Sequence, residues 1–298
     1  MLFNAQKEVN RLYKMGWLTP LLLDKTTNAH IIWATQIYRD LGLEYSYDHE
    51  ITDEQLVKGT FQLKSRAEKV HEEQMKRTKK HAEVFTPLWV VKKMNDFIEA
   101  RWFERENVFN GGPVIFPKGK TWQDFVDSRR MEITCGEAPY LVTRYDASTG
   151  HEIPLTERVG ILDRKLHVVS ENTTEIDEWL TWVIRAYQAT YGYEFQGDNL
   201  LLARLNLFLT FEDYMWEKFA RLPTDNEYSQ IVDVIVWNIW QMDGLTGLIP
   251  FCKESENDPQ MDLFETSICK DANKKNVICR IYNWRAKCCE DFNKLKKD

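Results

Sequence analysis

The chain has 298 residues, of which 43% are hydrophobic and 13% aromatic, so it can bury one large core or two modest ones. Its net charge of −7 argues against a protein whose whole surface binds nucleic acid, because phosphate contacts need clustered Lys and Arg. The sequence holds no run of 18 or more apolar residues, so we expect no membrane-spanning helix and no membrane partner.

The first 80 residues have a helical pattern, with helices predicted over 9–18, over 28–43 and from Asp53 to His81. Thr52 and Gln55 have the spacing of a capping box at the start of the third helix. The N-terminus carries charges through its apolar positions and shows no signal-peptide cleavage site, so a cytoplasmic location is expected. Residues 1–80 are therefore predicted to form a helical N-terminal region.

One segment of this region is strongly basic. Residues 64–81 hold seven basic and three acidic side chains, with no Pro or Gly. The composition favours a solvated helix stabilised by Glu/Lys pairs. A contact with the DNA backbone is the alternative interpretation.

From residue 131 onwards short apolar runs alternate with helix-like segments. Strands are predicted at 191–195 and 277–284, helices at 175–191 and 199–216, a β-hairpin at 158–169, and either a strand or a helix at 232–240. Alternation of strand and helix predicts an α/β fold with a parallel sheet.

The six cysteines include no C-x-x-C pair, which favours reduced thiols. A zinc site from Cys269, Cys279 and the Cys288/Cys289 pair is the alternative, but that spacing fits no common zinc site. No metal site is predicted.

Three acidic residues follow predicted strands, and each has an ordinary explanation of its own. Glu132 precedes a turn through Thr134, Cys135 and Gly136, which lets the backbone approach a ligand or simply turns the chain. Glu194 lies at a strand end before a helix for which Asp198 is the predicted N-cap. Asp243 precedes Gly244 in a typical turn pair. Taken in chain order, the three acids indicate a pocket for a nucleotide-like cofactor.

Several segments resemble one family in the same order. HAEVFTPLWVVKKM at 81–94 resembles the Phe-Thr-Pro segment of gamma-order amino-methylating (adenine-N6) DNA methyltransferases, which include the modification subunits of restriction-modification systems. ITCGEAPYL at 133–141 is similar to the family's cofactor loop, and ARLNL at 203–207 is similar to the helix after its ribose-binding acid. The resemblance covers about 81–285.

The resemblance implies a Rossmann-like, S-adenosylmethionine-dependent methyltransferase fold, with the cofactor-binding domain at 81–250 and a polar C-terminal segment at 251–298. The implied cofactor-binding residues are Phe85, Thr86 and Pro87 in the pocket wall, Glu132, Cys135 and Gly136 at the methionine end, Glu194 at the ribose, and Phe195 and Asp243 at the adenine.

The sequence departs from the family in two places. Ala138 and Pro139 replace two glycines of the cofactor loop, and Glu137 adds a charge there. The Asn/Asp/Ser-Pro-Pro-Tyr/Phe tetrapeptide that holds a flipped adenine is absent from the 298 residues. The expected protein is therefore the cofactor-binding half of a split or truncated adenine-N6 methyltransferase, without catalytic residues of its own. A second polypeptide would supply catalysis and target recognition, with double-stranded DNA in the complex.

Two other classes stay open. A methyltransferase-like module that has lost its cofactor could serve in assembly or DNA contact, and the altered loop favours it. An unrelated α/β enzyme could use Glu132 with His151 or His167 as an acid-base pair, although no G-x-S-x-G motif or P-loop accompanies them.

Overall fold

The computed structural model describes residues 2–69, 86–252 and 277–297. The described helices are α1 (Ala5–Met15), α2 (Leu18–Leu22), α3 (Asp53–Val57), α4 (Leu88–Phe103), α5 (Trp122–Val126), α6 (Ile161–Asn172), α7 (Ile176–Gln188), α8 (Gly197–Phe219) and α9 (Asp225–Asn238). The described strands are β1 (Leu23–Asp24), β2 (Ala29–His30), β3 (Arg130–Glu132), β4 (Thr190–Glu194), β5 (Ile239–Gln241), β6 (Arg280–Asn283) and β7 (Cys288–Asp291).

The central sheet is parallel and has the order β3-β4-β5. Helices α6 and α7 connect β3 to β4, and helices α8 and α9 connect β4 to β5. Glu132 pairs in register with Gly192, and Glu194 pairs with Gln241, so the carboxyl ends of the strands meet at one edge. The prediction of an α/β fold with a parallel sheet is confirmed. Two antiparallel pairs, β1-β2 and β6-β7, accompany this sheet.

Helix α8 lies at the centre of the hydrophobic core. Its residues are buried from Gly197 through Glu212, because apolar side chains occur all around the helix rather than on one stripe. The same core cluster includes Val9, Leu12 and Trp33 of the N-terminal region. The N-terminal region therefore packs into the core that surrounds α8.

The N-terminal predictions are confirmed in part. Helix α1 overlaps the first helix predicted over 9–18 but begins at Ala5 and ends at Met15, and Thr52 and Gln55 form the capping box that begins α3. The helix predicted over 28–43 is wrong, since this stretch holds β2 and two short 3-10 turns. Its backbone bonds to other segments instead: Ile31 N donates to Leu22 O at 2.8 Å, and Ala34 N donates to Tyr47 O at 2.7 Å. Tertiary contacts override the helical spacing there.

The third predicted helix is also too long. Helix α3 ends at Val57, and the amides of Lys58 and Gly59 both donate to Glu54 O. Lys69 is buried, and its Nζ lies 3.8 Å from Asp198 Oδ2, so this part of the basic run is not a solvated face. Residues 70–81, which carry the rest of that run, lie outside the described part of the chain.

Later predictions fare better. Helices α7 and α8 and strands β4 and β6 lie where the sequence predicted them. The segment 232–240 is mostly helical, because α9 continues to Asn238 before β5 begins. The hairpin predicted at 158–169 is wrong: α6 begins at Ile161 and buries Leu162, Leu166 and Val169 at helical spacing. No described helix is both long and apolar enough to cross a membrane.

Candidate functional site

A cavity of about 460 Å³ lies at the carboxyl ends of β3 and β4. This edge is where α/β sheets commonly bind ligands, because the strand ends and the helix starts that follow them converge there. Its lining comes from the β3 loop, the end of β4, the start of α8 and an N-terminal residue, and includes Arg66, Thr86, Glu132, Cys135, Gly136, Glu137, Tyr140, Arg144, Tyr145, Glu194, Phe195, Gln196, Asn199 and Asn206.

Glu132 and Glu194 are buried at the base of this cavity, and both hold the loop backbone. The Glu132 carboxylate accepts from the amides of Tyr140 (3.3 Å) and Leu141 (3.2 Å). The Glu194 carboxylate accepts from the amides of Gly136 (2.8 Å) and Gln196 (3.1 Å). A carboxylate has about four acceptor positions, so each retains capacity for a ligand.

Burial raises the pKa of both carboxyl groups. Desolvation is the largest cause for Glu132, whose pKa lies well above its ordinary value, and the nearby charge of Glu194 adds to it. Desolvation also raises the pKa of Glu194, against the lowering effect of its backbone hydrogen bonds. A cationic ligand in the cavity would restore the ionised forms.

The loop after β3 is tightly turned. Thr134, Gly136 and Ala138 have φ values of 47°, 55° and 63°, in the left-handed region that glycine adopts most easily. Cys135 N donates to Tyr193 O at 2.8 Å, which ties the loop to β4. Burial raises the pKa of the Cys135 thiol well above its usual range, so the thiol is protonated at neutral pH and serves as wall rather than nucleophile.

Glu137, the charge that the cofactor loop of the resembling family lacks, has partners within the protein. Its carboxylate accepts from the backbone amide of Arg66 and from the hydroxyl of Tyr145. Asn206 Nδ2 donates to the Glu137 carbonyl at 3.0 Å, so α8 also holds this part of the loop. The side chain therefore fastens the loop to the N-terminal region.

An aromatic group lies beside the β4 side of the cavity. Phe195 lines the cavity, and its ring centroid is 5.4 Å from that of Phe251. Phe251 in turn contacts Tyr47 at 4.8 Å. The three rings come from separate segments, and Phe195 alone among them lines the cavity, where it offers a ring face to a planar ligand.

The cavity brings together six of the nine predicted cofactor-binding residues, namely Thr86, Glu132, Cys135, Gly136, Glu194 and Phe195. Phe85 lies outside the described residues. Pro87 is the N-cap of α4 and does not line the cavity. Asp243 does not line it either, and its carboxylate accepts from the amide of Leu245 at 2.9 Å in a local turn.

Asp198 is not the N-cap that the sequence predicted. Gln196 occupies the N-cap position of α8, and Asp198 lies in the first turn, where it is buried. Its carboxylate accepts from the Tyr38 hydroxyl at 2.7 Å. The acid thus links α8 to the N-terminal region.

Sequence reasoning missed three amides that line the cavity from α8 and the residue before it. Gln196, Asn199 and Asn206 are buried polar residues in a stretch that is mostly apolar. Their spacing of three and seven residues places them on one face of the helix, a signal that the sequence contains.

The other candidate chemistries find little support. His151 and His167 do not line the cavity with Glu132, and His167 Nε2 lies 3.1 Å from Glu171. Five described cysteines are free thiols, while Cys269 lies outside the described residues. Across the described ranges, no three His, Cys, Asp or Glu side chains are grouped to hold a metal ion.

No protein-family model, curated protein or solved structure matches the chain.

Proposed function

We propose that the cavity binds S-adenosylmethionine and that the chain is the cofactor-binding part of a DNA adenine-N6 methyltransferase of a restriction-modification system. The observation that supports this most is the arrangement of Glu132 and Glu194. They lie at adjacent carboxyl ends of parallel strands, with a tight loop between them, around one cavity. We interpret the parallel sheet as part of a Rossmann-like methyltransferase fold.

Each part of the proposed cofactor has matching residues. Glu194 retains acceptor positions for ribose hydroxyls, and Phe195 offers a face to the adenine ring. Glu132 and the loop through Cys135 and Gly136 border the methionine end, where buried carboxylates favour a sulfonium cation. S-adenosylmethionine would supply the electrophilic methyl group. Asp243 does not line the cavity, so we assign the adenine ring to Phe195.

Methylation of a base needs groups that these 298 residues do not provide. The sequence lacks the Pro-Pro tetrapeptide that positions a flipped adenine. We infer that a second polypeptide supplies base binding and target recognition on double-stranded DNA. The chain by itself is expected to show no methyl transfer to DNA, and such activity would contradict this part of the proposal.

A catalytically inactive, methyltransferase-like assembly module is the second candidate. The hydrogen bonds already made by the loop acids favour it, since Glu132, Glu137 and Glu194 each accept at least two hydrogen bonds from the protein. In this alternative the acids have only a structural role. The cavity would then have no affinity for the cofactor.

Calorimetric titration with S-adenosylmethionine separates the two candidates. The cofactor-binding proposal expects saturable binding that Glu194→Gln weakens about 10- to 100-fold, because a neutral amide loses charge-assisted bonds worth about 1.5–3 kcal/mol. Glu178→Gln is the matched control, since Glu178 is exposed on α7. A titration that gives no heat at about 1 mM cofactor would favour the inactive module, because any binding free energy would then be weaker than about −4 kcal/mol.

A further inference from the structure

Helix α4 has its polar and apolar side chains on unexpected faces. Asn95 and Glu99 are buried against the protein, while Trp89, Met94 and Phe97 are 67%, 48% and 60% exposed. Phe97 lies on the side of the helix opposite the buried residues, given 100° per residue. Large exposed apolar side chains grouped on one face are typical of interaction surfaces.

The outward face of α4 carries an alternating pattern. Trp89, Lys93, Phe97 and Arg101 follow one another at four-residue spacing, so they form one ridge on the helix surface. Aromatic and cationic side chains alternate along it. The Arg101 guanidinium already lies 5.9 Å from the centroid of the Phe97 ring. This attraction between a cation and a ring face shows how the two residue types can pair.

No acidic side chain interrupts this ridge. Asp96 lies at its side, where its carboxylate is 2.6 Å from Lys92 Nζ and also pairs with Arg164. The ridge therefore presents aromatic rings and cations only. These groups are complementary to each other, which makes the ridge self-complementary in one orientation.

We propose that the α4 ridge is a dimer interface and that its occupant is the α4 ridge of a second copy of this chain. A two-fold axis that passes across α4 at the level of Asn95 makes the helices antiparallel. It places Trp89 opposite the second copy's Arg101 position, and Lys93 opposite its Phe97 position. Each contact then occurs twice, as an isologous interface requires, and every cation faces a ring.

The composition of the ridge favours this occupant over nucleic acid. Two aromatic rings accompany the two ridge cations, and exposed Met94 lies beside them, whereas a phosphate-binding surface needs clustered Lys and Arg. Aromatic residues, Met and Arg are the types enriched at protein interfaces. The interface is one face of a 16-residue helix. The area that such a face buries is smaller than the roughly 800 Å² per partner of a standard interface. We therefore expect a weak dimer, with a dissociation constant on the order of 10–100 μM.

Sedimentation equilibrium on the full chain tests the interface. Phe97→Lys replaces the ring that faces the second copy's Lys93 with a like charge, and it should raise the dissociation constant at least about tenfold. Leu245→Glu is the matched control, because Leu245 is 89% exposed in a turn elsewhere, and it should leave association unchanged. A protein that stays monomeric at about 200 μM, well above the expected constant, overturns the proposal, as does a dimer that Phe97→Lys does not weaken.

Two further measurements keep the test decisive. Far-UV circular dichroism checks that Phe97→Lys folds. If it does not, Lys93→Glu replaces it, because reversing one cation removes two symmetric ring contacts. The orientation is tested by mixing Lys93→Cys and Phe97→Cys chains in which Cys269, Cys288 and Cys289 are Ser. Disulfides between positions 93 and 97 should exceed 97–97 pairs under mild oxidation. An excess of 97–97 pairs overturns the antiparallel arrangement.

Discussion

The two buried acids of the cavity have different neighbours but the same electrostatic state. Glu132 fixes the end of the β3 loop through Tyr140 and Leu141, and Glu194 fixes its middle through Gly136. Desolvation raises the pKa of both because an ionised carboxylate loses water when it is buried. They are therefore partly protonated at pH values where exposed acids are ionised.

This state predicts a pH dependence of cofactor binding. A sulfonium cation binds the ionised carboxylates better, so S-adenosylmethionine affinity should rise as pH increases through the raised pKa values of Glu132 and Glu194. Calorimetric titrations at a series of pH values above the ordinary carboxyl pKa measure the affinity. In Glu194→Gln the affinity should change less with pH than in the unmodified protein, whereas in Glu178→Gln the pH dependence should be unchanged. Affinity that falls as pH rises would contradict the electrostatic role of the two acids.

The same pKa shifts fix the sign of their effect on folding. The folded-state pKa values lie above the unfolded ones, so the protonated acids contribute stability that is fully present below about pH 4, near the ordinary pKa. That contribution is lost as pH rises through the folded-state values. A ligand cation would offset the loss in the pH range where the acids ionise.

Among the elements, α8 positions both the core and the site. It begins immediately after Gln196, which lines the cavity, and its start meets the N-terminal region. Gly197 N donates to Trp33 O at 3.0 Å. A Cβ atom at Gly197 would lie 2.0 Å from the carbonyl oxygen of Ile32, so only glycine allows this approach.

Gly197→Ala should destabilise the protein although alanine is the better helix former. The new methyl group forces backbone to move, which we expect to lower the free energy of unfolding by about 2–3 kcal/mol. Denaturant unfolding measures the change. Gly112→Ala is the control, since its Cβ would come no closer than 3.5 Å to Asn110 Oδ1. Equal stability of the two variants would show that the close approach at Ile32 is not required.

At the scale of the whole molecule, one buried arginine joins the N-terminal region to the sheet. Arg204 Nε donates to Ile239 O at 2.8 Å, and its Nη1 donates to Leu21 O at 2.7 Å and Leu23 O at 2.9 Å. Burial lowers the pKa of Arg204 to about 10, which leaves the group charged at neutral pH. Carbonyls from α2, β1 and β5 therefore depend on one side chain.

Arg204→Met removes these donors while it retains most of the side-chain volume. Three buried carbonyls lose their donor, which destabilises the fold. Removal of the buried charge offsets part of this loss, because the charge no longer has to be desolvated. We expect the free energy of unfolding to fall by about 3 kcal/mol in total. Thermal or denaturant unfolding measures it. Arg280→Met, at an exposed position of β6, should change stability by less than about 0.5 kcal/mol. A stable Arg204→Met protein would mean that core packing alone holds the N-terminal region.

Local signals predicted the parts of the fold whose neighbours agree with them. Helices α7 and α8, strand β4 and the α3 capping box follow from periodicity and cap residues close in sequence. The predictions for 28–43 and 158–169 were wrong in opposite directions. The first segment was predicted to be a helix, but its backbone bonds to distant segments. The second was predicted to be a hairpin, but its apolar residues are buried along one face of a helix.

The sequence by itself determined the α/β alternation and the positions of Glu132 and Glu194 at strand ends, because strand period, turn residues and helix starts are local properties. Only the tertiary structure decided which groups share the cavity. It brings Arg66 and the amides of Asn199 and Asn206 to the cavity, and it leaves Asp243 in a turn outside it. The physical reason is that register and helix packing, rather than order along the chain, set which side chains meet at a sheet edge.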